Sequence, residues 1–599
     1  MSTRSKLAAT LVALGLVVGI AVSAVAQSPT ANAEPVTLTV GTEFDLFTSN
    51  PLRVCACGNE YEFLNLNYNM LLRFSPEDLT AAPELATEIP TKENGGISED
   101  GLTWTFKIRD DVTWQDGTPL TAEDVAWSFT YYVENKVGAY AGYLPDDPTF
   151  EAPDATTFVW KMTVPTSAPL APAWAPVLPK HIWEGFDDVK EAKAFENIPA
   201  IGSGPFQLVE WEKDQFYRFV ANDDYWNGAP EIDEVVLRVF ENEETKVLAL
   251  RQREIDFVDS VSPALFESLQ GQPNIATHRA MAAGFSSLSF NFGGQGPKAS
   301  NHPAIQDVAV RRAIAFAIDK EALVERVKLG YATPGTTVVP PLSPFHYEPT
   351  EDEVINFDIT EANRILDDAG YEDTDDNGVR EMPDGGEPLI FDVVVIPTVE
   401  SSVANGRLIS EWVRDIGIRM EMRPVSEEKY YDIWRSGDFD AYIWGWTPDP
   451  DPNFILSIFT TDECLSWSDG CYSNPVYDRL YEDQQRAPEL EARKAIVNEA
   501  QQMVYNEVPE IILFYSNTLQ AYRTDTFGGY VLAPDPDGWL LFQYGADSYL
   551  KVHPVGTGSL GARGTGAISG TVWLLIAGGV VLAIVALVLA RRARLRRVE

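Results

Sequence analysis

Residues 437–452 combine an alternating stretch with a proline-rich ending. One face of the predicted strand would carry Asp440, Tyr442, Trp444 and Trp446, and the other face Phe439, Ala441 and Ile443. Three prolines follow, and the strand must end there because proline lacks a backbone donor and has a fixed φ. Asp449 and Asp451 lie beside the indole rings at this end. The pattern favours a site for an organic ligand bearing an amine; the alternative is a buried strand followed by a Pro/Asp surface turn.

Periodic patterns elsewhere predict further strands and helices. In chain order these are strands over 34–40, 104–109 and 112–114, helices over 310–318, 361–370 and 489–506, and a buried strand over 509–515. Another helix begins after Thr121, which is its N-cap, with Asp124 at N3 as a variant of the capping box. Within 310–318, Arg311 and Arg312 are interpreted as part of a solvated face.

The length and the charge of the chain narrow its class. A chain of 599 residues exceeds what one hydrophobic core supports, so we expect two or more domains. With 45 basic and 89 acidic side chains, the formal net charge is −44. This charge excludes nucleic acid as a partner, because phosphates require stripes of lysine and arginine. The acidity fits solubility, or a saline or acidic exterior, and says nothing about the fold.

The first 33 residues have the features of a secretory signal peptide. Arg4 and Lys6 precede an apolar run over 7–26, and small residues at 24–26 offer a cleavage site. The run is also long enough for the alternative, an uncleaved N-terminal anchor. Lipid attachment at a processed N-terminal cysteine is excluded, because the first cysteine of the chain is Cys55.

The C-terminal end predicts a tether, a membrane span and a short tail. Residues 551–570 are rich in glycine and should form a flexible linker. Residues 571–590 are an apolar run of bilayer-spanning length, and the arginine-rich residues 591–599 follow. By the positive-inside rule the tail is cytoplasmic and the body is extracytoplasmic. A C-terminal lipid-anchor signal is the competing interpretation, against which the basic tail argues.

Four cysteines in an exported protein suggest disulfides. Cys464 and Cys471 are close in sequence, with a turn between them, and are predicted to pair. Cys55 and Cys57 are separated by one residue, so a bond between them would be strained. A free pair and a redox-labile bond both stay open for these two, and a metal site is disfavoured because no histidine joins them.

Several blocks along the chain resemble one family. They are residues 104–129, 202–206, 222–228, 240–257, 302–320 and 434–452, and the resemblance covers about 36–550. In this order the blocks resemble the family 5 extracellular solute-binding proteins, which are peptide- and oligopeptide-binding subunits of ABC importers. The resemblance implies a monomer that binds a peptide, closes by a hinge motion, and delivers the peptide to ABC permease subunits driven by cytoplasmic ATPases.

The resemblance also implies the fold class. This is an α/β, two-lobed clam like the periplasmic binding proteins (type II, cluster C-like) with an extra domain, to which this chain adds one C-terminal transmembrane helix. Its implied divisions are lobe I over 36–74, 200–282 and 524–550, extra domain II over 75–199, and lobe III over 283–523.

The resemblance gives roles to residues of the opening segment. In peptide-binding members an aspartate after the strand end binds the α-amino group of the peptide; here Asp449 matches best, and Asp451 is the alternative. Trp444 and Trp446 would wall the site, and Tyr442 and Asn291 complete the expected ligand-binding set.

Three other functions stay open at this stage, and enzyme chemistry finds little support. Some relatives bind oligosaccharides, which the aromatic content would suit, and some bind metal chelates, which the few His and Met residues disfavour. A membrane-tethered sensor ectodomain is the third. The five histidines are scattered and no catalytic or nucleotide-binding motif appears, so we expect no enzyme activity and no required cofactor.

A loop over 373–384 has the spacing of an EF-hand calcium loop. Its oxygen ligands would be Asp373, Asp375, Asn377, the Val379 carbonyl, Glu381 and Asp384, with Gly378 at the sixth position. The twelfth residue is Asp rather than the longer Glu, and no helix clearly follows. A structural Ca²⁺ site and a simple Asp/Gly-rich turn are therefore both open interpretations.

Overall fold

The computed structural model describes residues 34–556, apart from 55–59, 138–139, 141–143, 145–147, 166–174, 294–300, 384, 400 and 488. The predicted signal segment, the predicted transmembrane segment and its tail lie outside the described residues, as do Cys55, Cys57 and Asp384. Within the described part, no helix has both the length and the apolar character needed to cross a bilayer.

The strands of the described part are, in chain order, β1 (Thr37–Thr42), β2 (Leu72–Phe74), β3 (Ala81–Pro83), β4 (Thr103–Lys107), β5 (Thr149–Asp154), β6 (Thr157–Lys161), β7 (Phe206–Glu212), β8 (Phe216–Ala221), β9 (Glu234–Val239), β10 (Phe257–Val258), β11 (Ile275–Phe290), β12 (Ala332–Pro334), β13 (Ile390–Val395), β14 (Arg419–Pro424), β15 (Ala441–Trp446), β16 (Glu510–Arg523), β17 (Phe527–Gly528) and β18 (His553–Pro554).

The α-helices of the same part are α1 (Glu60–Asn67), α2 (Ala122–Glu134), α3 (Lys180–Trp183), α4 (Val189–Ala194), α5 (Glu243–Gln252), α6 (Pro263–Leu269), α7 (Val308–Ala317), α8 (Lys320–Lys328), α9 (Ile359–Asp368), α10 (Ser402–Trp412), α11 (Glu427–Ser436), α12 (Asn453–Ser457), α13 (Pro475–Arg486), α14 (Leu490–Glu507) and α15 (Asp547–Lys551). Short 3-10 turns cover Pro51–Arg53, Pro303–Gln306, Val413–Ile416 and Thr461–Glu463.

One large sheet runs through both lobes. Its order is β14-β13-β15-β11-β16-β10-β1-β9-β8-β7, and β12 also pairs with β16. In one half, β1 is parallel to both β9 and β10. In the other half, β13 is parallel to both β14 and β15. The long antiparallel strands β11 and β16 join the halves, so the fold is a mixed α/β structure with two lobes.

The crossing between the lobes lies in the middle of β11 and β16. Their pairing is regular from Ile275 to Ala280, shifts register, and resumes at Gly284. β10 pairs with the Ala521–Tyr522 part of β16, whereas β15 pairs with residues 285–290 of β11. The irregular segment over 280–284 therefore marks where the chain passes from one half of the sheet to the other.

A smaller three-stranded sheet, β4-β6-β5, lies within the predicted extra domain. Phe129 of α2 packs on it, with its ring centroid 5.6 Å from that of Phe158 in β6. Buried side chains of this region join those of β1, β7, β8 and β9 in one continuous hydrophobic core. The half of the sheet that holds β13 and β15 has separate cores.

Most of the locally predicted elements are confirmed. The capping box is present as predicted, with both the Thr121 and the Asp124 hydrogen bonds formed. The helices predicted over 310–318, 361–370 and 489–506 correspond to α7, α9 and α14. The short strand predicted over 112–114 forms only an isolated bridge between Thr113 and Pro119. The strand predicted over 509–515 is longer than predicted, because β16 continues through the crossing to Arg523.

Two predictions about facing side chains are wrong. Arg311 does not lie on a solvated face: it is buried, and its guanidinium donates to the backbone carbonyls of Ile305, Glu507 and Val508. Phe439 does not oppose Tyr442 across the strand, because β15 begins only at Ala441, and the two rings pack with their centroids 5.3 Å apart.

Candidate ligand-binding cleft

A cleft of about 360 Å³ lies between the two halves of the large sheet. Loops that follow parallel strands line it: 260–263 after β10 in the first lobe, and Val399, Ser401 and Thr447 after β13 and β15 in the second. In open α/β sheets, ligands bind beyond the carboxyl ends of the strands. Here these ends from both lobes converge on one cleft.

Close backbone packing forms the floor of the cleft at the lobe crossing. A Cβ atom on Gly284 would lie 2.7 Å from the carbonyl oxygen of Trp446 and 2.7 Å from Oγ1 of Thr447. A Cβ atom on Gly445 would lie 2.4 Å from the carbonyl oxygen of Phe285. The two glycines therefore let the end of β15 lie directly on β11, which places Trp444–Thr447 along one wall.

Three tryptophans are among the residues that line the cleft. Trp444 stacks on Tyr430 of α11, with ring centroids 4.9 Å apart and planes 10° from parallel. Trp446 contacts Phe454 edge-on at 5.6 Å. Trp539 lines the cleft as well, and its indole N–H donates to the Met281 carbonyl at 3.0 Å. Trp444 and Trp446 were predicted from the sequence, whereas Trp539, which lies about ninety residues further along the chain, was not.

Two side chains of opposite charge also line the cleft. The carboxylate of Glu243, at the start of α5, accepts a hydrogen bond from the Ser262 backbone N–H at 2.9 Å. The Lys328 ammonium, at the end of α8, lies 5.8 Å from the centroid of the Phe514 ring. Among the described residues that line the cleft, a carboxylate, an ammonium and several aromatic residues suit a zwitterionic organic ligand.

The two candidate aspartates have different surroundings. Asp451 and Arg493 form a buried bidentate ion pair, with N–O distances of 2.5 and 2.9 Å. Arg493 also lies over the ring of Phe345, 4.9 Å from its centroid. Both charged groups lie on a second, mainly apolar cavity of about 390 Å³. The carboxylate of Asp451 is therefore already engaged by a guanidinium of the protein.

Asp449 is buried, and it is not among the described residues that line either cavity. Thr447 lines the cleft and Pro450 lines the second cavity, so Asp449 lies in the short segment between the two. Burial, together with the negative charge of Asp449, raises the pKa of Tyr544 well above its ordinary value. Tyr544 belongs to the core of the first lobe. The Asp449 carboxylate, which is in the second lobe, therefore affects the pKa of a tyrosine in the first lobe.

Tyr442 and Asn291 lie behind the cleft wall rather than in it. The buried Tyr442 hydroxyl donates to Oδ1 of Asp469 at 2.5 Å. The Asn291 amide donates to the carbonyls of Gly437 and Phe439 at 3.0 and 2.7 Å, and its oxygen accepts from the Gly293 N–H. Asn291 thereby fixes the turn that leads into β15.

A disulfide joins Cys464 and Cys471, the two cysteines that their spacing predicted to pair. The loop that it closes contains Asp469, which the sequence analysis missed. Asp469 accepts hydrogen bonds from both Tyr442 and Trp446. In a chain with 89 acidic side chains, no pattern distinguishes this carboxylate from the others.

The 373–384 loop brings three of the predicted calcium ligands together. Carboxylate oxygens of Asp373, Asp375 and Glu381 lie within 4.8 Å of one another. Asp373 accepts from the backbone N–H groups of Asn377 and Gly378, at 3.1 and 2.8 Å. Hard oxygen ligands at this separation fit the chemistry of Ca²⁺, and Asp384, the predicted twelfth ligand, lies outside the described residues.

Comparison with known proteins agrees with this architecture. The sequence model of one protein family, the bacterial extracellular solute-binding proteins of family 5 (middle region), matches residues 80–465. The dipeptide-binding protein of Escherichia coli (strain K12) is 24% identical over 544 residues, which cover 86% of this chain and 95% of that protein.

Two solved structures show the same fold. The ABC transporter substrate-binding protein CtaP of Listeria monocytogenes has a TM-score of 0.73 at 20% identity and covers 87% of this chain and 100% of its own. The oligopeptide-binding protein AppA of Bacillus subtilis, solved in complex with a nonapeptide, has a TM-score of 0.67 at 22% identity, with coverages of 87% and 100%.

Proposed function

We propose that this chain, which belongs to the bacterial extracellular solute-binding proteins of family 5, captures peptides in the cleft between its lobes and delivers them to ABC permease subunits. The observation that carries the proposal is the cleft itself. Strand ends of both lobes, three tryptophan residues and two side chains of opposite charge line it. The dipeptide-binding relative in Escherichia coli and the nonapeptide complex of AppA support a peptide as the ligand.

In this proposal the α-amino group of the peptide binds Asp449. Asp449 is preferred because Gly445, Trp446 and Asp449 best match the strand end and the aspartate of the peptide-binding family members, and Asp451 is the alternative. The lobes would close about the irregular crossing at 280–284 in β11. Closure removes water from the cleft, so a contact between ammonium and carboxylate gains strength.

Mass spectrometry of the ligands that co-purify with the protein tests the proposed substrate class. Peptides with free amino termini, released on denaturation, are the expected result. The indole walls would also suit stacking against sugar rings, so oligosaccharide binding is the second candidate. Recovery of oligosaccharides without peptides would contradict the peptide proposal and favour that candidate.

We propose further that the body is extracytoplasmic and held at the membrane by the predicted span over 571–590. The support is the apolar run, its glycine-rich linker and the arginines that follow. Deleting residues 571–599 should release soluble, ligand-competent protein into the medium, as fractionation and immunoblotting would show. A truncated protein that stays with the membrane would contradict this anchor and implicate the N-terminal segment.

We also propose that the 373–384 loop binds Ca²⁺ as a structural clip. Binding to the folded state alone should raise stability by RT ln(1 + [Ca²⁺]/Kd), or about 2.7 kcal/mol at one hundred times Kd. The melting temperature should therefore rise in millimolar Ca²⁺ and fall with chelator, and Asp375→Asn should reduce the response. A melting temperature that changes with neither Ca²⁺ nor chelator would contradict the proposed calcium site. Peptide affinity should change little in either case.

A further inference from the structure

The disulfide-bridged loop, residues 464–471, is fixed against the back of the cleft wall. The carbonyl of Ser468 accepts from the Trp434 indole N–H at 3.0 Å, and the carbonyl of Gly470 accepts from the Phe292 N–H at 2.7 Å. A Cβ atom on Gly470 would lie 1.8 Å from the carbonyl oxygen of Phe290, so only glycine fits this approach. The loop is thus attached to α11 and to the end of β11, and the disulfide closes it.

Within this loop, Asp469 connects to two residues of β15. Its Oδ1 accepts from the Tyr442 hydroxyl at 2.5 Å, and its Oδ2 accepts from the Trp446 indole N–H at 2.8 Å. Asp469 itself is buried. The indole nitrogen is a donor only, so one acceptor at a fixed position sets the direction of the ring. Trp446 lines the cleft, and its orientation therefore depends on a carboxylate outside the cleft.

We infer that Asp469, held in place by the Cys464–Cys471 loop, is a positioning residue that sets the Trp446 wall for the ligand. The inference rests on the proposed function in one respect, namely that the cleft is the ligand site. Asp469 touches no ligand in this account. It acts through the indole ring, and the disulfide acts through Asp469.

The protonation of Asp469 decides which substitution is informative. Burial raises the pKa of Asp469, and the charge of Asp469 adds to burial in raising the pKa of the buried neighbour Glu510. Because Asp469 is buried, an uncharged replacement of similar size avoids placing a charge in the interior. Asp469→Asn keeps an oxygen that accepts from the indole, whereas Asp469→Leu removes both acceptors at similar size.

Affinity for tetra-alanine with free termini is the first readout, measured by calorimetry on the full-length protein in detergent. Asp469→Leu should weaken binding about tenfold, and Asp469→Asn should stay within about threefold of the unsubstituted protein. Cys464→Ser with Cys471→Ser should weaken binding about tenfold as well. Combining these serines with Asp469→Leu should add no further loss, because both changes act through one contact.

The Trp446 indole resonance is the second readout and needs no ligand. In protein labelled with ¹⁵N-tryptophan, this resonance is assigned by its absence in Trp446→Phe. It should shift and exchange faster with solvent in Asp469→Leu and in the double serine variant. It should keep its position in Asp469→Asn and in the control Asp462→Asn, which alters an exposed carboxylate next to the loop.

The outcomes separate this inference from the proposed function. If neither the unsubstituted protein nor any variant binds the peptide, the proposed function is wrong. The Trp446 indole resonance is then the only test of the inference about Asp469. An unmoved resonance in Asp469→Leu, or losses of affinity that multiply to about a hundredfold in the triple variant, would overturn it. If Asp469→Leu does not fold, the double serine variant gives the same comparison with Asp469 intact.

Discussion

Asp449→Asn should weaken the binding of a free-amine peptide by about 150- to 4,000-fold. The closed lobes leave the peptide ammonium in an enclosed site, and an unpaired charge there costs about 3–5 kcal/mol. The substitution keeps the size of this buried side chain and removes its charge. Titration calorimetry with a peptide identified by mass spectrometry would measure the loss.

Two matched variants make the Asp449 result specific. Asp462→Asn removes an exposed carboxylate of the same lobe and should leave affinity unchanged. Glu243→Gln removes the carboxylate that lines the cleft from the first lobe. If Glu243→Gln causes the large loss and Asp449→Asn does not, the amino group binds at Glu243 and the proposed role of Asp449 is wrong.

Arg493→Met should destabilise the fold by about 3–5 kcal/mol, because it leaves the buried Asp451 carboxylate without its partner. The side chains of this pair are only 4% and 7% exposed, so water does little to compensate. Urea unfolding followed by circular dichroism would measure the change in the free energy of unfolding. Peptide affinity of the folded fraction should remain close to that of the unsubstituted protein.

Arg486→Met is the matched control for Arg493→Met. Arg486 is in the helix before, and its ion pair with Glu482 is about half exposed on both sides. Such a pair contributes about 0–1 kcal/mol. Adding Asp451→Leu to Arg493→Met should restore part of the stability, because both buried charges are then gone. Equal effects of Arg486→Met and Arg493→Met would contradict a structural role for the buried pair.

Features set by neighbouring residues were predictable from the sequence. The capping box at Thr121 and Asp124 depends on four consecutive residues, and the structure forms it as predicted. The Cys464–Cys471 disulfide spans a short turn. Trp444 and Trp446 were expected at a strand end because prolines follow them, and both residues are at the end of β15 and line the cleft.

Features set by distant contacts were not predictable. Nothing near Trp539 in the sequence indicates that it meets β11, although its indole N–H bonds to Met281. From the sequence, Arg311 is predicted to be a surface residue. In the structure it is buried because its guanidinium donates to carbonyls at the end of α14. Only part of the long strand β16 was predicted. Its other part, in the first lobe, pairs with β10, which is far away in sequence.

The choice between Asp449 and Asp451 shows the same limit within the site. The alternating Pro-Asp pattern over 448–452 gives both carboxylates an equal local setting. Only the fold brings Arg493 of α14 to Asp451. The fold also brings Asp449 near Tyr544, whose pKa the charge of Asp449 helps to raise. Because Arg493 and Tyr544 both lie far from these aspartates in sequence, the sequence alone left the register open by two residues.

Calorimetric titration of the unsubstituted protein with one peptide in two forms tests the central claim most directly. The peptide is one recovered from the purified protein and synthesised with a free and with an acetylated amino terminus. One-to-one binding of the free form and a loss of affinity of at least about a hundredfold on acetylation are expected. Equal binding of both forms, or binding of a β-linked oligosaccharide with no binding of either peptide, would contradict it.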